Sequence, residues 1–168
     1  KIRVPSDLTN ADPAFHPARM DTTVAETVGE GLVRFKPGTW EIENVLAEEI
    51  KQSEDGLTIE FKLKEGVQFQ KGYGELTAED VKYSYERFID PKLDAPYKGD
   101  WENLDRVEVT GKYSGKIILK KPFSPLWTST LPVTAGVIVS KKAVEEKGVE
   151  AYATNPIGTG PYEFVEWK

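Results

Sequence analysis

The chain of 168 residues contains 22 lysines and arginines and 28 aspartates and glutamates, and its formal net charge is −6. It has no cysteine and a single histidine, His16, which excludes disulfides, thiolate chemistry and zinc sites built from cysteine or paired histidine ligands. The acidic balance argues against a general nucleic-acid surface, and no apolar run reaches the roughly 20 residues that cross a bilayer.

The N-terminal part predicts a short strand, a long loop and a helix. Residues 2–4 are predicted to form the strand, and 6–19 form a loop rich in proline and turn signals. Thr23 and Glu26 have the spacing of a capping box, which predicts that the helix begins at Thr23. An apolar stripe at helical spacing extends that helix to Leu32.

The middle of the chain carries its clearest strand and its clearest helix. Four apolar residues alternate strictly with polar ones over 57–63, which is typical of a strand with one buried face. The turn-forming pair Asp55-Gly56 precedes it and predicts a hairpin with 47–52. Thr77 is a natural N-cap followed by acidic residues in the first turn, which predicts a helix that ends before Pro91.

The second half predicts shorter elements around one buried strand. They are a hairpin of 106–109 with 116–119 turned at Ser114-Gly115, short helices over 123–131 and 141–147, and a strand over 162–167. The all-apolar run 136–139 indicates a strand that is buried on both faces. The mixed order of hairpins and helices predicts an α/β protein with mixed, α+β-type sheets.

Three separated motifs carry a family resemblance. They are 54–69 (EDGLTIEFKLKEGVQF), 76–87 (LTAEDVKYSYER) and 155–162 (NPIGTGPY). In this order they resemble the family 5 extracellular solute-binding proteins of ABC transporters, the dipeptide-, oligopeptide- and nickel-binding class. The dipeptide Asp12-Pro13 in the first loop agrees with this resemblance, which covers nearly the whole chain.

The resemblance implies a periplasmic binding protein type II-like fold of which this chain is the N-terminal part. Residues 1–35 and 136–168 are expected to be segments of a core lobe, and 36–135 a small inserted second domain. The opposite lobe of the family is expected to be absent from this chain. The start at Lys1 and the end at Lys168 are expected of a processed, truncated or proteolysed chain.

The resemblance also implies which residues contact a solute. In the family, the stretch that follows the Asp-Pro dipeptide lies at the edge of the cleft, and aromatic residues of the second domain stack on the ligand. The predicted ligand contacts are Pro17, Ala18, Arg19, Met20, Tyr97 and Trp101. Arg19 is suited to a bidentate contact with an anionic group.

Each of these residues has a simpler structural interpretation. The loop around Arg19 is equally typical of solvated surface, and Tyr97 and Trp101 are equally typical of packing on the domain's own sheet. No metal, cofactor or catalytic residue is predicted, since His16 has no second nitrogen or sulfur donor beside it except Met20. The run Gly158-Thr159-Gly160 is interpreted as a tight turn and not as a phosphate loop, because a strand and not a helix is predicted after it.

The predicted function is capture of a peptide or similar small solute outside the cytoplasmic membrane and its delivery to the permease subunits of an ABC importer. Such a protein is periplasmic or at the cell surface, peripheral to the membrane and in some cases lipid-anchored, and the chain alone is expected to self-associate. An extracytoplasmic sensor or chaperone-like peptide binder is an alternative. A carboxylate-dependent hydrolase built on Glu79 and Asp80 is disfavoured, because adjacent helix residues point about 100° apart.

Overall fold

The computed structural model describes residues 7–15 and 19–167. The strand predicted at 2–4 and the candidates His16, Pro17 and Ala18 lie outside the described residues. The strands are β1 (Val33–Phe35), β2 (Ile42–Asn44), β3 (Ala47–Gln52), β4 (Thr58–Leu63), β5 (Gln68–Phe69), β6 (Gly74–Glu75), β7 (Leu104–Gly111) and β8 (Ser114–Leu119). The α-helices are α1 (Arg19–Val28), α2 (Ala78–Glu86), α3 (Lys141–Lys147) and α4 (Val149–Thr154).

A four-stranded antiparallel sheet in the order β3-β4-β8-β7 forms the centre of the fold. The predicted pairing of 57–63 with 47–52 is confirmed, with Ile50 opposite Phe61. Ile59, Phe61 and Leu63 are buried while the residues between them face outward, because side chains alternate between the two faces of a strand. Two further antiparallel pairs, β1 with β2 and β5 with β6, lie outside this sheet.

Helix α2 packs against β7 and confirms the predicted cap. The Thr77 backbone amide and hydroxyl both donate to the Asp80 carboxylate at 3.0 Å, which satisfies donors that the first helical turn leaves free. Val81 and Tyr85 are fully buried on the inward face of the helix. A 3₁₀ turn over Arg87–Ile89 ends the helix before Pro91, as predicted.

Helix α1 begins four residues earlier than predicted. The Thr23 hydroxyl donates to the Arg19 carbonyl within the helix, so Thr23 is not the cap. Asp21 is instead the acidic residue of the first turn, and its buried carboxylate accepts the backbone amides of Thr9 and Asn10. The helix ends at Val28, and Leu32 is buried outside it.

Three predictions from the second half are corrected. The β7–β8 turn lies at Lys112-Tyr113 and not at Ser114-Gly115, because Ser114 already pairs with Gly111. The run 136–139 is buried as predicted, but only the single bridge of Val137 to Gly31 is strand-like. The short helix predicted over 123–131 is present in a reduced form, as a π-helix that covers only Leu126–Thr130.

The strand predicted over 162–167 is also absent from the structure. This segment is irregular and mostly exposed. Its backbone joins no sheet among the described residues, so its apolar pattern alone does not make it a strand. Within the described part of the chain, no helix has the length and apolar character to cross a membrane.

Candidate functional site

A short 3₁₀ turn over Thr134–Gly136 joins the two regions predicted to contact a solute. The Thr134 hydroxyl donates to the Glu26 carboxylate of α1 at 2.5 Å. The Trp101 indole N–H donates to the Ala135 carbonyl at 2.9 Å. Helix α1 and the segment that carries Tyr97 and Trp101 therefore both pack on the same turn.

Trp101 lies in the core and not on a ligand-accessible surface. Its side chain is 1% exposed, and its ring stacks on Tyr85 with centroids 4.2 Å apart. The Tyr85 hydroxyl donates to the Gly136 carbonyl at 3.1 Å, which satisfies the polar end of a buried phenol. The structural interpretation of Trp101 is therefore the one that the geometry favours.

The other predicted contacts are divided between core and surface. Met20 is buried on α1, whereas Arg19 is exposed at the first position of that helix. Tyr97 is half-buried immediately before the 3₁₀ turn Lys98–Trp101. Contact of Arg19 and Tyr97 with a solute stays a prediction, and both side chains have surface available for it.

A cleft of about 390 Å³ opens beside the C-terminal end of α1. Its lining residues are Glu26, Thr27, Gly29, Glu30, Gly31, Val33, Arg34, Val45, Pro132, Val133, Val137, Pro161 and Tyr162. Most of these residues are apolar or glycine, and they include two carboxylates and one guanidinium. Of the predicted contacts that the structure describes, none is among the lining residues, and Arg19 begins α1 about 10 Å along the helix axis from Glu26.

Two backbone segments cross beside this cleft without intervening side chains. The Gly160 amide donates to the Val28 carbonyl at 2.8 Å. A Cβ at Gly158 would lie 2.1 Å from the Val28 oxygen, and one at Gly160 would lie 2.7 Å from it. These glycines are therefore required by the close approach of two backbones, at a point where the chain also bends over 159–162.

A buried ion pair connects the first loop to the end of α2. Both guanidinium nitrogens of Arg87 donate to Asp12, at 3.1 and 2.5 Å, and both side chains are buried. Burial by itself would lower the pKa of Arg87, but the charge and hydrogen bonds of Asp12 outweigh it and hold that pKa above its usual value. The pair is structural, because its carboxylate oxygens are occupied by Arg87 and by the Ala14 amide.

The paired carboxylates of α2 have separate surroundings. Asp80 caps the helix and also accepts the Lys141 amide at 3.1 Å, so its oxygens are engaged in the fold. Burial raises the pKa of Asp80, against the opposing hydrogen bonds from Thr77 and Lys141. Glu79 is exposed, 3.9 Å from the Lys141 ammonium. Among the described residues no group of three acidic or histidine side chains is placed to hold a metal ion.

Sequence reasoning missed the residues that build the cleft and its walls. Glu26 was interpreted as a capping residue, whereas its carboxylate accepts a hydroxyl from the distant Thr134. Gln70 carried no signal, since it comes just after the family motif at 54–69, yet its side chain contacts Val28 and Gly160. These contacts join residues that are 42 to 108 positions apart, so no pattern among neighbouring residues predicts them.

Comparison with known proteins places the chain among binding proteins of one family. A family model described as bacterial extracellular solute-binding proteins, family 5, middle region, matches residues 41–168. The glutathione-binding protein GsiB of Escherichia coli O1:K1 is 34% identical over 166 residues, which cover 99% of this chain and 32% of that protein.

The fold agrees with solved structures of the same kind. MoaA of A. tumefaciens R10, in complex with mannopinic acid, has a TM-score of 0.89 and 33% identity, over 96% of this chain and 33% of its own. DppA of Helicobacter pylori, a periplasmic binding protein in complex with the peptide STSA, has a TM-score of 0.85 and 30% identity, over 97% and 36%. The chain thus spans about a third of the length of the proteins that it matches.

Proposed function

Because this chain belongs to the bacterial extracellular solute-binding proteins of family 5, we propose that it supplies part of a protein that captures a small solute for an ABC importer. The solute is a peptide or a molecule of similar size, and the partners are the permease subunits of the importer. The protein acts in the periplasm or at the cell surface. The family match over 41–168, together with the agreement in fold, is the observation that carries this proposal.

In this proposal, the chain contributes only one side of the solute-binding site. Segments 1–35 and 136–168 form part of a core lobe, 36–135 forms the inserted domain, and a second lobe lies outside this chain. The bridge between Gly31 and Val137 supports the association of the two flanking segments. The hydrogen bond from the Ile138 amide to the Glu30 carbonyl at 2.9 Å supports it as well.

The proposed mechanism is closure of two lobes over the solute without chemistry on it. A solute that makes contacts with both lobes only in the closed state shifts the equilibrium toward closure by the free energy of those contacts. Arg19 would contribute a charge-assisted hydrogen bond from this side, and Tyr97 an aromatic contact. The buried Asp12–Arg87 pair and the Trp101–Tyr85 stack keep this side rigid during closure.

The test is solute binding by the full-length protein, measured by calorimetry with di- and tripeptides and with other small solutes. We expect Arg19→Ala and Tyr97→Ala to weaken binding by about 5- to 150-fold, because each removes one charge-assisted or aromatic contact. Arg106→Ala is the matched control, since Arg106 is exposed on the sheet and paired with Asp105 and Glu108. A protein that binds none of these solutes would overturn the proposal, and equal affinity of all three variants would remove Arg19 and Tyr97 from the site.

A further inference from the structure

The side-chain amide of Gln70 is surrounded by backbone oxygens of two distant segments. Its Nε2 donates to the carbonyl oxygens of Gly160 at 2.8 Å, Tyr162 at 2.9 Å and Val28 at 3.3 Å. Its Oε1 accepts the Gly158 amide at 3.4 Å, and its backbone amide donates to the Gly158 carbonyl at 3.0 Å. One side chain on the β5–β6 hairpin thus contacts four positions that lie 42 to 92 residues away.

The oxygens around Gln70 lie beside the cleft, because Tyr162 lines it while Val28 and Gly160 are chain neighbours of lining residues. Val28 is the last residue of α1, where helical carbonyls lack partners within the helix. The Gly160 amide and Gln70 Nε2 supply those partners from outside the helix. Because a Cβ at Gly158 or Gly160 would overlap the Val28 oxygen, no other side chain fits at this crossing.

Lys71, the residue after Gln70, contacts the same C-terminal part of the chain at two further positions. Its ammonium donates to the Phe164 carbonyl at 2.6 Å and to the Asn155 side-chain oxygen at 3.2 Å. Lys71 has φ of 56°, in the left-handed region that residues other than glycine seldom adopt. Such a conformation persists where surrounding contacts hold it, as these two do.

We propose that Gln70 is the positioning residue of the cleft, which acts by fixing the crossing of the α1 end and the 158–162 segment. It contacts Tyr162, which lines the cleft, and is not itself among the lining residues. The role requires the donor nitrogen, because Nε2 faces three carbonyl oxygens, whereas Oε1 accepts one amide at 3.4 Å. Any effect of this crossing on solute affinity rests on the proposed function, whereas the structural role of Gln70 does not.

The proposed role requires a hydrogen-bond donor at this position, so an acceptor in a side chain of the same shape should not replace it. Gln70→Glu keeps the size of the side chain but places a carboxylate oxygen among three carbonyl oxygens, where it repels them. When the introduced carboxyl is protonated, it becomes a donor again and one of the three contacts is restored. Gln70→Leu removes the donor without adding charge and is a second variant of similar volume.

The test measures protection of the Gly160 amide against hydrogen exchange, by NMR on the 168-residue chain. We expect protection at pH 7 to fall about 10-fold or more in Gln70→Glu, and less in Gln70→Leu. Near pH 4, where a glutamate begins to protonate, protection in Gln70→Glu should rise to at least that of Gln70→Leu. The Ile59 and Ile117 amides of the central sheet report global unfolding and should keep equal protection in all variants.

Gln68→Glu is the matched control, because Gln68 is exposed two residues away and, within the described part of the chain, its side chain hydrogen-bonds only to the nearby Gly66 carbonyl, at 3.4 Å. Wild-type protection of Gly160 in Gln70→Glu, or an equal loss in Gln68→Glu, would overturn the proposal. So would wild-type protection of Gly160 in Gln70→Leu, which would show that Gln70 only fills space. None of these outcomes depends on a solute, so failure here is separate from failure of the proposed function.

Discussion

At the scale of single residues, Trp101 combines three contacts that are typical of a core residue. Its indole N–H reaches the Ala135 carbonyl, and its ring lies against Tyr85 and Phe88. Large aromatic side chains contribute strongly to stability when they are buried and when their polar atom has a partner. Trp101 is therefore connected to the Thr134–Gly136 turn as part of the core.

Trp101→Ala should destabilise the chain by about 3–5 kcal/mol, because it removes a fully buried ring and leaves a cavity. Urea unfolding followed by circular dichroism measures this change. Trp40→Ala is the control, since Trp40 is 87% exposed, and its free energy of unfolding should change by about 1 kcal/mol or less. Similar unfolding midpoints for the two variants would contradict the assignment of Trp101 to the core.

At the scale of elements, Asp80 connects two helices. One carboxylate oxygen accepts both Thr77 donors at the start of α2, and the other accepts the Lys141 amide at the start of α3. The pKa of this buried carboxyl is nevertheless raised above its ordinary 3.8, because burial penalises the charge more than the three hydrogen bonds stabilise it. Ionisation of Asp80 is thus less favourable in the folded state than in the unfolded state.

The raised pKa of Asp80 determines whether this group's contribution to the free energy of unfolding increases or decreases with pH. A carboxyl whose folded pKa exceeds its unfolded value binds more protons in the folded state, so its contribution to stability is present below pH 3.8 and is lost as pH rises through the folded pKa. The free energy of unfolding of the wild type minus that of Asp80→Asn should therefore decrease between about pH 3 and pH 7.

The measurement is urea unfolding of both proteins at a series of pH values. The other titrating groups are common to both proteins and cancel in the difference. A difference that increases with pH would show that the hydrogen bonds from Thr77 and Lys141 outweigh burial, and that the pKa of Asp80 is lowered.

At the scale of the whole molecule, a single apolar core joins the central sheet, α2 and the 131–139 region, while several large apolar side chains remain outside it. The exposed ones are Trp40, Tyr162, Val165 and Trp167, at 87, 65, 78 and 37%. Three of them lie within the last seven residues of the chain. Clustered exposed apolar side chains are typical of surfaces that another protein surface covers.

We predict that the 168-residue chain self-associates through this C-terminal cluster and binds no di- or tripeptide measurably, since one side of a site cannot enclose a solute. Sedimentation velocity over a range of concentrations, with calorimetric titration, tests both parts. Val165→Glu should shift the chain toward monomer, and Lys98→Glu, a charge change on an exposed loop residue, should not.

A monomer at all concentrations would contradict the first part of this prediction. Peptide binding at micromolar concentration would contradict the second part, together with the two-lobe mechanism as applied to this chain.

The sequence by itself determined the elements whose causes are local. The alternation over 57–63, the Asp55-Gly56 turn and the cap at Thr77 each depend on neighbours within a few residues, and the structure contains all three. The family motifs also predicted the fold class correctly, because each motif is a continuous run of residues that the sequence shows without knowledge of distant contacts.

Only the tertiary structure decided the roles that depend on distant partners. The sequence pattern of 136–139 is that of a strand, but its amides bond to Glu30 and Ser84 and not to a continuous strand. Trp101 has the pattern of a loop aromatic and is a core residue because Tyr85 and Ala135 are brought to it. The crossing at Gly158 and Gly160 likewise depends on contacts more than 80 residues apart, whose energies arise only once the chain has folded.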